Sequence, residues 1–498
     1  MGLLFQTQGC WQVSKFHLKE DYLPTEASYK LLPIKFERLN ADEYVLTNLS
    51  GEFEVIENAD LDRVVNYKLV PEDQLYADLR SRQFIYEPND KSPVQLLALK
   101  VRTKYSRLAN FTNLHIFVVT LRCDHSCPYC QVSRQSEDKA AFDMTKEMAD
   151  KGLDFVFRSP SPALKIEFQG GEPLLNFELV KYIVIEANKR NESLGRDLAF
   201  VIATTLSLLT DEVLAFCKTH NIFLSSSLDG VEELHNTNRP RAGKNSHQKF
   251  VEGLGKARLA LGFDSVSALM TTTEQSLPQV KSIIDEYLRL GFNGIFLRPL
   301  SPYGFAIKTK KYRAYNTERW LEFYKDGLDY IIKLNKAGIR FTEQYTSLIL
   351  TKMLTSNDPG FVDLMNPSGA GIAAIVINYD GGVYASDESR MLAEMGDQSF
   401  RLGHIEQNTY EEIMLSDKLL DALEDSFTLS VPMCSDCAFE PYCGAEPVYH
   451  HAVYGDTVAR KPESEFCKRN MAIFKHLIEL MRSDAETKQI FLGWANRC

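Results

Sequence analysis

The chain reads first as an alternation of apolar strands and amphipathic helices. Leu114–Arg122 is a nearly continuous apolar run of the kind a strand buried on both faces carries. Beyond it, helices are predicted over about Met144–Arg158, Phe177–Asn191 and Asp211–Thr219. Strands are predicted over Leu164–Gln169, Leu198–Ala203 and Ile222–Leu228, with two more near Ser265–Met270 and Gly294–Arg298. Six strand–helix repeats imply an α/β fold around a parallel sheet, with chemistry at the carboxyl ends of its strands.

This unit spans 111–305. Ahead of it, strands at Tyr29–Phe36 and Tyr44–Ile56 (the second turned at Ser50-Gly51), helices at Asp60–Tyr67 and Pro71–Arg82, and a strand at Phe84–Tyr86 predict an α+β domain over 1–110. Behind it, a helical linker over 306–365, amphipathic at Glu318–Asn335, leads to a tail over 366–498.

Charge and composition narrow the setting. A net charge of −11 without any basic block argues against a nucleic-acid partner. No apolar run approaches the roughly 20 residues of a membrane span. Met1–Gln8 lacks the basic and apolar regions of a signal peptide. The expectation is a soluble, cytoplasmic protein, in which ten cysteines read as metal ligands rather than disulfides.

Cys123, Cys127 and Cys130 share one short loop just after the Leu114–Arg122 strand. Thiolates this close favour zinc or an iron–sulfur cluster. Three local ligands without a fourth at zinc spacing suit a 4Fe–4S cube with one iron left open. CxxxCxxC after a first strand, with Tyr129 before the last cysteine, resembles the radical S-adenosylmethionine (SAM) signature. The resemblance implies a partial (βα)6 radical SAM barrel whose open iron chelates SAM. It further implies that the loop Gly170, Gly171, Glu172, Pro173 contacts the SAM amino group. Ser227 and Asp229, followed by His235 and Arg239, resemble a family stretch that holds SAM's polar groups, with Arg239 suited to its carboxylate. Arg298, after the sixth strand, would face the barrel mouth as a cation for SAM or for a substrate acid. Thr205 departs from the pattern, standing where an asparagine is common.

The tail carries Cys434, Cys437, Cys443 and Cys467. Four thiolates make a closed site, an electron carrier or a structural centre, with zinc as an alternative to iron. The spacing resembles the SPASM extension of peptide-modifying radical SAM enzymes, which usually holds two auxiliary clusters. Here Ser386 and Pro447 stand where two further cysteines are expected, so one auxiliary 4Fe–4S cluster is implied rather than two. Asp387 matches the position of a general base in the related sulfatase maturases. Cys217 lies on an apolar helix face and reads as core; Cys10 and Cys498 have no partners at ligand spacing.

Leu32–Phe36, Thr47–Glu52, Leu297–Phe305 and Tyr384–Met391 together resemble the HxsB family, radical SAM maturases of His-Xaa-Ser repeat peptide systems. That resemblance implies a ribosomally made precursor peptide as substrate, a second radical SAM maturase as partner, and a flavodoxin- or ferredoxin-type reductant. The N-terminal domain resembles a winged-helix unit that grips leader peptides. Two other readings stay open: an anaerobic sulfatase-type maturase forming formylglycine, and a metal-binding peptide scaffold without catalysis.

Overall fold

A computed structural model describes residues 28–309, 312 and 316–496; Met1–Gln8, Cys10 and Cys498 lie outside the described residues. In the N-terminal part, β1 (Lys30–Leu31), β2 (Ile34–Arg38), β3 (Glu43–Asn48), β4 (Phe53–Glu57) and β5 (Ile85–Tyr86) form two small antiparallel sheets, β2-β3-β4 and β1-β5. The single strand expected over Tyr29–Phe36 divides at Leu32-Pro33, because proline has no N–H to give a ladder. Helices Asn58–Val65 and Gln74–Ser81 bury Leu61, Val64, Tyr76 and Leu79 against Tyr29, Leu46 and Ile56. A further helix, Ser92–Tyr105, begins with Pro93 in its first turn and buries only Pro93 and Leu97. It has too little apolar periodicity to announce itself in the sequence.

The central sheet is built from β6 (Leu114–Thr120), β7 (Ala163–Gly170), β8 (Asp197–Ala203), β9 (Ile222–Ser227) and β10 (Val266–Leu269), all parallel. Intervening helices, among them Phe177–Asn191 and Ser246–Leu261, pack on it through one continuous core. The sixth strand is a stub, β11 (Gly294–Ile295), paired with β12 (Thr342–Glu343) off the main sheet. Pro299 and Pro302 end any ladder beyond it, and bonds from Thr272 N–H to the Arg298 carbonyl (2.9 Å) and from Leu297 N–H to Glu343 (3.0 Å) tie the segment in. On the opposite edge, β13 (Ala374–Ile377) pairs in parallel with β6, Val376 opposite Ile116. Then β14 (Gly382–Tyr384) and β15 (Arg401–His404) extend the sheet antiparallel to eight strands. The tail therefore continues the barrel sheet and brings its own residues to the barrel mouth. Among the described residues, no helix is long and apolar enough to cross a membrane.

Candidate functional site

The cysteine loop leaves β6 under tight control. Arg122 makes a two-pronged ion pair with Asp143 (2.7 Å on both arms) and also donates to the Leu175 carbonyl (2.7 Å). Farther on, Ser126 N–H bonds the Pro240 carbonyl (2.8 Å), and Phe305 N–H bonds that of Cys130 (2.8 Å). Both glycines of the next loop exist for close approach. A Cβ on Gly170, whose φ is +134°, would fall 1.9 Å from the Thr120 carbonyl oxygen, and one on Gly171 would fall 2.0 Å from that of Arg122. Stripped of side chains, the loop donates Gly171 N–H to Thr120 (2.8 Å) and Glu172 N–H to Arg122 (2.7 Å).

The result is a cavity of about 230 Å³ at the carboxyl ends of β6 to β10. Cys123, Cys127, Cys130, Tyr129, Gly170, Gly171, Ser227, Arg239, Arg298 and Asp387 all line it. Glu172, Pro173, Asp229 and His235 do not. Glu172 is fully buried and turned inward, accepting from Leu174 N–H (3.1 Å), Thr204 Oγ1 (2.8 Å), and both N–H and Oγ1 of Thr205 (2.7 and 2.8 Å). What that loop presents to the cavity is the backbone of its glycines, with Pro173 starting the next turn. Thr205, the departure from the family pattern, is thus a partner of Glu172. Asp229 also lies beneath the cavity, fully buried. It holds Arg239 on two arms (3.1 and 3.2 Å) and accepts from the Tyr129 hydroxyl, while the Arg239 guanidinium lies 5.5 Å from the centre of the Tyr129 ring. His235 is spent inside, its Nδ1 accepting Asp229 N–H (3.3 Å).

Asp387 opens the helix Asp387–Ala393, and its Oδ1 receives Arg390 at 3.1 Å. The two positions lacking cysteine are both helix starts. Ser386 is the N-cap of that helix in a reciprocal pair with Ser389, and Pro447 is the first residue of the helix Pro447–Tyr454, behind Glu446 as N-cap.

Cys434, Cys437, Cys443 and Cys467 line a second cavity of about 290 Å³, with Phe439, Phe466 and Phe474 among its walls. The loop carrying the middle two is clasped by the N-terminal sheet. Lys35 on β2 reaches Glu440 at 3.0 Å, both side chains at least nine-tenths buried, and Glu440 also accepts from Asn366 (2.8 Å) and Thr428 (2.5 Å). Tyr442 donates its hydroxyl to the Gly51 carbonyl (2.7 Å), and Lys104 donates to that of Pro441 (2.9 Å). None of this clasp was legible from cysteine spacing.

The donors suit a thiolate-bound metal centre, an iron–sulfur cluster or zinc. Burial raises the Cys127 and Cys437 thiols to about 12, so a cationic centre is needed to hold these two as thiolates at neutral pH. Near the first loop, Cys123, Asp124 and His125 converge within 4.8 Å, but Asp124 is bonded to His125 (2.8 Å) and Ser207 (2.6 Å).

Comparison with known proteins agrees with this geometry. Residues 117–287 match the family model of the Radical SAM superfamily. An uncharacterized protein of Methanocaldococcus jannaschii is 27% identical over 38% of this chain, an alignment covering 62% of that protein. The cysteine-type anaerobic sulfatase-maturating enzyme of Clostridium novyi is 22% identical over 65% of this chain and 83% of its own. Among solved structures, anSMEcpe with bound AdoMet and a Cp18Cys peptide matches with a TM-score of 0.60 at 17% identity, covering 77% of this chain and 99% of that one. SuiB of Streptococcus suis bound to its precursor peptide SuiA matches with a TM-score of 0.50 at 13% identity, over 84% and 95%. The chain has the radical SAM α/β fold, and the three cysteines, Gly170, Gly171, Ser227 and Arg239 of its first cavity stand in the segment that the family model covers, whereas Arg298 and Asp387 come from beyond it.

Proposed function

We propose that this chain is a radical SAM enzyme that modifies a ribosomally synthesised peptide, by cross-linking or oxidation. The observation that carries the reading is the first cavity, where three cysteines, the side-chain-free backbone of Gly170-Gly171 and two charged residues from later segments, Arg298 and Asp387, converge. Bound there, SAM and a 4Fe–4S cluster would supply a 5′-deoxyadenosyl radical that takes a hydrogen atom from the peptide. The protein's own part is placement. Gly170 and Gly171 leave room for the methionyl end of SAM, and Ser227 offers it a hydroxyl. Arg239 offers its carboxylate a cation that Asp229 and Tyr129 hold in position. Asp387 stands at the same mouth as a proton acceptor, its carboxylate oriented by Arg390.

A peptide substrate is supported by the fold neighbours, two of which hold peptides. In this reading the tail cysteines hold one auxiliary 4Fe–4S cluster, the N-terminal sheet engages the precursor's leader, and a flavodoxin or ferredoxin supplies electrons in the cytoplasm. A second maturase of the same class is the expected partner. Likeness to a sulfatase-maturating enzyme keeps formylglycine formation as the second reading.

The test is anaerobic. Reconstituted protein with SAM and a strong reductant is expected to yield 5′-deoxyadenosine, detected by mass spectrometry. No product from protein whose iron content shows a filled first site would sink the enzyme reading. Conversion of a Cys- or Ser-containing sulfatase peptide to an aldehyde would favour the second reading.

A further inference from the structure

Between the two cysteine cavities lies a third, smaller one. Arg298 lines both it and the first cavity, and Phe466 lines both it and the second. Its volume is about 50 Å³, room for a few water molecules or the head of one long side chain. An adjoining cavity of about 190 Å³ beside Trp320 shares Tyr449 and Arg469 with it.

Three carboxylates line this chamber, each from a different segment: Asp363 ahead of β13, Glu388 in the first turn of Asp387–Ala393, and Glu446 at the start of Pro447–Tyr454. Among the described residues they have few donors. Glu446, 4% exposed, gives one oxygen to Tyr449 N–H (2.7 Å), and its other oxygen has no hydrogen bond. Asp363 accepts none through its side chain. Glu388 has its own backbone N–H, and Arg298 at 3.8 Å, beyond hydrogen-bond range. The second guanidinium, Arg469, lies over the rings of Trp320 (5.8 Å) and Phe466 (5.4 Å). Tyr303, also buried against the three acids, completes the groups facing Glu388 together with Asp387. Burial first, then mutual repulsion, pushes Glu388 up to about 7 and Glu446 up to about 8. Lys461 moderates the second of these.

Three acids thus face two guanidiniums in a secluded space, and their free acceptor oxygens point to a donor from outside. A charged N–H donor meets such acceptors best. We propose that this chamber binds a cationic side chain of the peptide substrate, an ammonium or guanidinium held by Glu388, Glu446 and Asp363. The inference rests on the peptide-modifying reading above and names the feature by which the enzyme selects its peptide.

The test uses the full, iron-loaded protein and three acetylated tripeptide amides, Gly-Lys-Gly, Gly-norleucine-Gly and Gly-Glu-Gly, with Kd measured by anaerobic calorimetry. At pH 8 the lysine peptide is expected to bind at least about 10-fold more tightly than the norleucine one. That ratio should shrink at pH 6, where the acids take up protons. Glu388→Gln and Glu446→Gln should each narrow it at pH 8. Equal affinities, no binding of any of the three peptides, or a ratio indifferent to pH would overturn the proposal. Preference for the glutamate peptide would overturn it too, assigning the chamber to Arg298 and Arg469. Formation of 5′-deoxyadenosine by the same preparation keeps the two readings apart. Protein that makes it without preferring lysine loses only this inference, and lysine preference in protein that makes none loses only the radical chemistry.

Discussion

The two cysteine sites are built in opposite ways. The first takes all three cysteines from one loop at the end of β6, and most of its remaining walls come from the ends of neighbouring strands. The second gathers Cys434, Cys437 and Cys443 from one loop and Cys467 from the helix Glu465–Ser483, then leans on the N-terminal part through Lys35 and Gly51 of its sheet and Lys104 of the helix Ser92–Tyr105. A site with three ligands at a strand end keeps a face open to a small molecule. One enclosed by four ligands and a neighbouring domain has no such face, which suits electron storage or structure.

The largest expected effect follows from that contrast. Replacing Cys123, Cys127 and Cys130 with alanine should abolish 5′-deoxyadenosine formation and cut iron from about eight per chain to about four. Replacing the four tail cysteines should remove the same amount of iron while leaving SAM cleavage measurable. If either set removes all the iron, the sites are not independent.

Next in size is Lys35→Met, which leaves Glu440 as a buried charge without its cation. A loss of about 3–5 kcal/mol is expected, seen as a lowered unfolding temperature and as iron lost from the tail before the barrel. Gly171→Ala should act on the barrel alone, since its Cβ would strike the Arg122 carbonyl. Overpacking of this kind costs about 1–3 kcal/mol, and SAM affinity by equilibrium dialysis should fall about 10-fold or more.

Smallest is the pH effect at Glu388. Its carboxyl is held up to about 7 in the folded chain against an ordinary value of 4.5. The unfolded chain therefore binds fewer protons between these values, and stability falls as pH rises through them. Glu388→Gln should raise the unfolding temperature at pH 8, by the equivalent of about 1–3 kcal/mol, and change little at pH 4.

What the sequence revealed tracks how local each feature is. The cysteine loop, the glycine pair and five of the strands were legible because each depends on residues close together in the chain. The sixth strand keeps only Gly294–Ile295 of the expected Gly294–Arg298, paired with Thr342–Glu343 off the main sheet, a partner that only the tertiary fold supplies. The loop's resemblance implies a SAM contact for Glu172, yet its four donors come from Leu174 and from Thr204-Thr205 one strand away. Asp363, Glu388 and Glu446 were not singled out, since nothing in their spacing says they face one space. The same holds for Glu440 and Lys35, about 400 residues apart, whose pairing only the tertiary fold creates.

The pairing of β13 with β6 has a practical consequence for anyone cutting the chain. A barrel expressed alone, ending before Ala374, would keep β6 but lose the strand that covers its outer edge. That edge offers its unpaired backbone groups along Leu114–Phe117, flanked by apolar side chains, which is a template for joining a second molecule. Aggregation of such a fragment would reflect an uncovered seam rather than a failure of the barrel to fold, and the shortest useful fragment has to carry β13 with it.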